Sequence, residues 1–324
     1  RYPRCSRSRR LDVPRLKATL FLVLFVACMP VKMLQDANAN GSDIGVIYPE
    51  VREPYASIFA SMLDGIYEAK GDDIHSIAVK KEYDPQDIVD WVTTHKIKRI
   101  IALGSRSQKL IENVKLPVDE VVLGAVTRPP ESDIFNAGIL LTPDPQQVYL
   151  ELGLLLSGIE NIYIIYSSDS RWYVDIAKAL ARGRAYNLIT IESESIADSV
   201  RQYKKILDGI DSKSVIWLLQ DSLSADSRLL LPLILEESWN KSFPVISNSA
   251  GHVGRGVLLA LYPDPFEFGV ELANTLKVNS SNPSGAFRPF QEALRAANTR
   301  TAEHLELGWS RSKIRSFDVV FPSE

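Results

Sequence analysis

The stretch Asn136-Ala-Gly-Ile-Leu-Leu-Thr-Pro-Asp-Pro-Gln-Gln-Val-Tyr149 decides how the rest of the chain is read. Ile139 to Leu141 is apolar, as a buried strand is. Thr142-Pro143 breaks the run, because proline brings no N–H to a sheet ladder. Asp144-Pro145 then opens a helix, with aspartate as cap, proline in the first helical position and Gln147 at the capping-box position. Strands and helices alternate before this stretch, and they alternate again after it. The stretch is therefore expected to carry the chain out of one α/β lobe and into another.

Upstream, strands are expected at Ile44 to Tyr48, Ile77 to Val79, Arg99 to Leu103 and Val121 to Val126. The segments between them repeat apolar residues at helical spacing, as in Ile58, Phe59, Met62, Leu63 and Ile66. Downstream, strands are expected at Ile162 to Tyr166, Leu188 to Ile191, Val215 to Leu219, Pro244 to Ser247 and Gly256 to Tyr262. Asp84-Pro85 and Asp264-Pro265 repeat the helix start of Asp144-Pro145. A further helix is expected from about Gln291. Strands alternating with helices indicate βαβ units and mostly parallel sheets.

The 324 residues suffice for two lobes, and 45% hydrophobic with 24% charged residues is an ordinary globular composition. Residues 1–39 stand apart. Seven basic residues lead into an uncharged run from Ala18 to Met29, and Ala37-Asn-Ala39 follows. Basic start, short apolar core and A-x-A predict a signal peptide cut after Ala39 and a periplasmic destination. Anchoring as a lipoprotein through Cys28 is the competing expectation. The leader holds eight of the 37 Lys and Arg and two of the 40 Asp and Glu, so 29 basic and 38 acidic residues remain, a net charge of −9. Such a balance argues against nucleic acid as partner. Both cysteines, Cys5 and Cys28, also lie in the leader, which leaves no thiol nucleophile or cysteine metal site beyond it.

No catalytic signature is present: there is no G-x-S-x-G, H-E-x-x-H or P-loop. Gly251-His-Val-Gly-Arg-Gly256 has the wrong spacing for a dinucleotide loop and leads into a strand, so it is read as a turn. His75, His95, His252 and His304 show no ligand spacing. The expectation is a protein that is not an enzyme and takes no cofactor or metal.

Position supplies what motifs do not. In open parallel sheets, ligands lie beyond the carboxyl ends of the strands. Those ends carry Tyr48, Glu50, Ser105, Thr127, Tyr166, Ser167, Asp221, Ser222 and Asn248, which form the candidate ligand-binding set. Ser105 or Ser167 could hold a carboxylate and Asp221 an ammonium. Ordinary capping and turn duty is the competing reading for each.

Gln220-Asp-Ser222, Phe243-Pro-Val-Ile246, Gly256-Val-Leu-Leu-Ala-Leu-Tyr-Pro-Asp264, Phe268-Gly269 and Asn298-Thr-Arg-Thr-Ala302 occur in an order that resembles one family. It is that of ABC-transporter substrate-binding proteins of the tryptophan/tyrosine type, and the similarity runs from about Ile44 to Leu307. Thr127-Arg128-Pro129-Pro130 departs from it where the family commonly has Asp-Pro. The resemblance implies an α/β protein of two Rossmann-like lobes with mostly parallel sheets joined by three crossovers, the type I periplasmic-binding-protein fold. Lobe 1 is expected at 43–141 plus 264–282, and lobe 2 at 142–263 plus 283–324. Hinge positions are expected at Leu141, Thr142, Tyr262 and Pro263, with the third crossing in the loop at 280–285. It also implies a monomeric receptor that closes on a small organic ligand, with an amino acid favoured and an aromatic one leading. Such a receptor hands its ligand to a membrane permease. A sensor or interaction module of the same fold, with no transport, is the alternative.

Overall fold

Runs such as Ile100-Ile-Ala-Leu103 and Val215-Ile-Trp-Leu218 are apolar on both faces, which suits strands covered by helices on either side. A computed structural model describes residues 42–226, 228–276 and 287–322. The expected leader, with Cys5 and Cys28, and the expected crossing at 280–285 lie outside the described residues. Among the described residues no helix is long and apolar enough to cross a membrane.

The chain begins β1 (Ile44–Pro49), α1 (Tyr55–Lys70), β2 (His75–Val79), α2 (Pro85–Thr94), β3 (Arg99–Leu103), α3 (Gly104–Asn113), β4 (Glu120–Val126) and β5 (Ala137–Pro143). It continues α4 (Pro145–Leu155), β6 (Asn161–Tyr166), α5 (Arg171–Ala181), β7 (Asn187–Glu192), α6 (Ile196–Gly209), β8 (Ser214–Leu218) and α7 (Leu230–Lys241). Next come β9 (Val245–Ser247), α8 (Ala250–Val253), β10 (Leu259–Pro263) and α9 (Pro265–Ala273). The chain closes with β11 (Phe287–Phe290), β12 (Ala293–Asn298), α10 (Thr299–His304), α11 (Arg311–Ile314) and β13 (Val319–Phe321).

Two sheets result. One is six-stranded, in the order β11-β5-β4-β3-β1-β2, and the other seven-stranded, in the order β13-β12-β10-β9-β8-β6-β7. All pairings are parallel except that of β10 with β12. Both sheets repeat one doubly wound order, in which strand order reverses between β1 and β3 and again between β6 and β8. Ligands of such sheets lie outside the carboxyl ends at these switch points. Each lobe has an apolar cluster on either side of its sheet, and Trp217 is fully buried in the second lobe.

Three aspartates open helices as the sequence predicts. Asp84, Asp144 and Asp264 accept from the main-chain N–H of Gln86, Gln146 and Phe266 at 2.8–2.9 Å, each with proline at the next position. No capping box forms at Gln147, because the Asp144 N–H is spent on the carbonyl of Phe290 in β11 at 3.0 Å.

The carboxyl-terminal part differs from expectation. β11 pairs with β5, so residues 287–290 belong to the first sheet and not to the second lobe, and the chain crosses for the third time after Phe290. The helix expected from Gln291 is instead β12, paired with β10 from Pro263↔Ala293 to Leu259↔Ala297. Alanine-rich Ala293-Leu-Arg-Ala-Ala-Asn298 favours a helix locally, but pairing satisfies its backbone and buries Ala296 and Ala297 completely. Gly138 is closely packed in β5. A Cβ there would stand 2.3 Å from the Leu123 carbonyl oxygen and from the Phe287 ring, so glycine permits close packing.

Candidate functional site

The expected residues sit on the carboxyl edges of both sheets. In the first lobe Tyr48 is half-buried near the end of β1. Burial raises its phenol above the usual value, with Tyr67 adding to the effect. Glu50 is exposed just beyond β1, Thr127 is exposed just beyond β4, and Ser105 is exposed in the first turn of α3. Gly104 makes the turn from β3 into α3 at φ +79°, a backbone conformation that suits glycine.

Arg106, absent from the expected set, ties this edge together. Its Nη1 donates to the main-chain carbonyls of Glu50 at 2.7 Å and Val79 at 3.0 Å, where β1 and β2 end. Sequence pattern gave no reason to single it out, since one arginine in a helical turn looks like any solvated charge.

In the second lobe the structure brings Ser167 and Asp221 into direct contact. Asp221 Oδ2 accepts from Ser167 N at 2.8 Å, Ser167 Oγ at 2.7 Å and Ser170 Oγ at 2.7 Å. Its Oδ1 accepts from Leu223 N at 2.9 Å and Ser224 N at 3.0 Å. Burial works to raise this carboxyl, but the bonds from Ser167, Ser170 and Ser224 outweigh it and hold the group below the usual carboxylate value. A carboxylate has about four lone-pair positions. All are occupied, so Asp221 does not await an ammonium as the sequence suggested. It fastens the loop after β6 to the loop after β8.

Tyr166 is buried at the end of β6, and burial, then Glu192, raises its phenol. Ser222 is an exposed turn residue. Asn248, fully buried after β9, receives the indole N–H of Trp217 on Oδ1 at 2.8 Å and donates its main-chain N–H to Leu218 at 3.0 Å. The expected hinge residues lie where the chain changes lobes. Thr142 is buried in β5, Leu141 is half-buried, and Tyr262 and Pro263 end β10. The same Pro-Asp-Pro order follows Thr142 and Tyr262 at two of the crossings.

The lobes meet along these edges. Arg128 Nη1, after β4, pairs with Asp169 Oδ1, after β6, at 2.5 Å. Trp172, in the first turn of α5, packs against the apolar clusters of both lobes. At or beyond strand ends, Trp172 Nε1, Gln220 Oε1 and Thr142 Oγ1 are buried without a hydrogen-bond partner, and so is Ser224 Oγ in the loop after β8. Such groups cost about 1–3 kcal/mol each unless water or a ligand satisfies them. They comprise an N–H donor, an amide acceptor and two hydroxyls. Gln220 lies just past the end of β8, a position that could have singled it out, whereas Trp172 lies inside α5, where the sequence pattern gave no signal. Among the described residues no three His, Cys, Asp or Glu side chains gather as a metal site.

No protein-family model matches the chain, and no curated protein matches it in sequence. Solved structures do match. The ABC domain from Streptococcus pneumonia in complex with L-Trp is 17% identical at a TM-score of 0.54, covering 86% of this chain and 98% of that one. A substrate-binding protein with adhesive properties from Clostridium difficile, in its ligand-free, open form, is 15% identical at a TM-score of 0.61, covering 87% and 99%. A conserved domain protein from Vibrio cholerae is 16% identical at 0.53, covering 86% and 98%. At these identities the likeness is one of fold, and the fold is that of the type I periplasmic binding proteins.

Proposed function

We propose that this chain is an exported solute-binding protein that closes two lobes on a small organic molecule and delivers it to a membrane permease without chemical change. An amino acid is the favoured solute and an aromatic one the first choice. The observation that carries the reading is the occurrence of buried, unpartnered polar atoms at the carboxyl ends of strands in both sheets. Trp172 Nε1, Gln220 Oε1 and Thr142 Oγ1 lie at the carboxyl edges, where doubly wound sheets place ligands. A molecule held there would satisfy them and lie against the Trp172 ring. The L-Trp bound by the Streptococcus pneumonia domain, at 17% identity, makes aromatic amino acids the place to begin. Export rests on the layout of residues 1–39.

A thermal-shift screen of amino acids and other small solutes tests the reading. A bound solute stabilises the folded state by RT ln(1+[L]/Kd), about 2.7 kcal/mol at a hundredfold excess over Kd. Absence of any shift across the panel would reject solute binding and favour an interaction module that feeds a signalling or envelope partner.

A further inference from the structure

The first lobe carries two opposite charges, anchored on one residue, that do not pair with each other. Arg106 turns its Nη1 to the carbonyls of Glu50 and Val79, which fixes the guanidinium plane and leaves Nε and Nη2 to donate elsewhere. The main chain of Glu50 is held on both sides, because its N–H also donates to the Val79 carbonyl at 2.8 Å. The Glu50 carboxylate is exposed. Among the described residues neither side chain has an ion-pair partner. Arg52, Lys80 and Lys81 are exposed at the same edge, but no main-chain group holds their side chains. Arg106 therefore differs from a solvated surface charge: its position is set by the ends of two strands.

An oriented guanidinium fork suits a carboxylate, and a neighbouring unpaired carboxylate suits an ammonium. The amino end of α3 adds to the first preference. This ten-residue helix has no side-chain cap, begins directly at the end of β3, and carries the exposed Ser105 hydroxyl in its first turn. We propose that Arg106 and Glu50 receive the α-carboxylate and α-ammonium of an amino acid at the carboxyl edge of the first sheet. The assignment rests on the solute-binding reading above and gives the acidic role to Glu50 in place of Asp221. It divides the work between the lobes: the first reads the charged head group, and the second, with Trp172 and Gln220, receives the side chain.

The test uses the intact protein and three probes. The L-amino acid that gives the largest thermal shift is titrated by calorimetry, together with its decarboxylated amine and its deaminated acid, into wild type, Arg106→Gln and Glu50→Gln. For the amino acid, each variant is expected to weaken binding about tenfold or more. Arg106→Gln leaves the amine's affinity unchanged, since the amine has no carboxylate to lose, and Glu50→Gln leaves the acid's unchanged. Amino-acid affinity unaltered in both folded variants overturns the proposal while solute binding stands. An effect confined to one variant overturns the paired assignment. Wild type that binds none of the amino acids overturns the proposal, and binding of another solute in the same screen would show that the broader reading survives. Arg106→Gln also removes a clamp on two carbonyls. Glu50→Gln alters an exposed side chain, so it carries the test if the arginine variant does not fold.

Discussion

Asp221 shows how far a residue type alone can be read. Its place after the third strand of the second lobe was legible. Its task was not, because three of its five donors, from Ser167 and Ser170 in the loop after β6, reach it only after folding. The folded state holds this carboxyl below the usual value, so its contribution to stability is present above the unfolded value of about 3.9 and is lost as pH falls through the folded one. Asp221→Asn is expected to destabilise the protein by about 1–3 kcal/mol at neutral pH, since buried charge-assisted bonds are lost. Chemical denaturation followed across pH should show the gap between variant and wild type closing in acid. A gap independent of pH would mean that the carboxylate charge is not what matters. At the same scale, Arg106 and Trp172 escaped the sequence reading because their significance lies in contacts with strand ends and with the other lobe.

Among the elements, the helix starts were the most legible, because Asp-Pro states both the cap and the first helical residue locally. The contact between α1 and α9 was not legible. These helices are about 200 residues apart in the chain. They touch through glycines: a Cβ on Gly65 would lie 2.0 Å from the Phe266 carbonyl oxygen, and one on Gly269 would lie 2.1 Å from that of Met62. Neither obstacle is the end of a flexible side chain, so the helices themselves must move. Gly269→Ala is expected to cost about 1–3 kcal/mol despite the better helix propensity of alanine, measurable as a lower denaturation midpoint. A rise in stability would show that the two helices have room to part. β12 taught the converse lesson. Its alanines favour a helix, and its pairing with β10 decides for a strand.

Across the whole molecule, the joint between the lobes is where new behaviour arises. The Arg128–Asp169 pair spans it, with both side chains more than half exposed, so its strength is modest and falls with salt. Arg128→Glu places like charges across the joint. Ligand-free protein is then expected to scatter with a larger radius of gyration at low salt and to bind its solute about twofold more weakly. The reversed pair, Arg128→Asp with Asp169→Arg, should restore both, and failure of that rescue would argue against a role for the pair. The sequence by itself determined the two α/β lobes, most strand positions and the residues at the strand ends, because hydrophobic periodicity and helix caps act over a few residues. The tertiary structure alone decided that β11 returns to the first sheet, that Asp221 is spent on its own loops and that Arg106 stands beside Glu50. Those outcomes depend on which distant backbone and side-chain groups meet, and local chemistry does not encode such meetings.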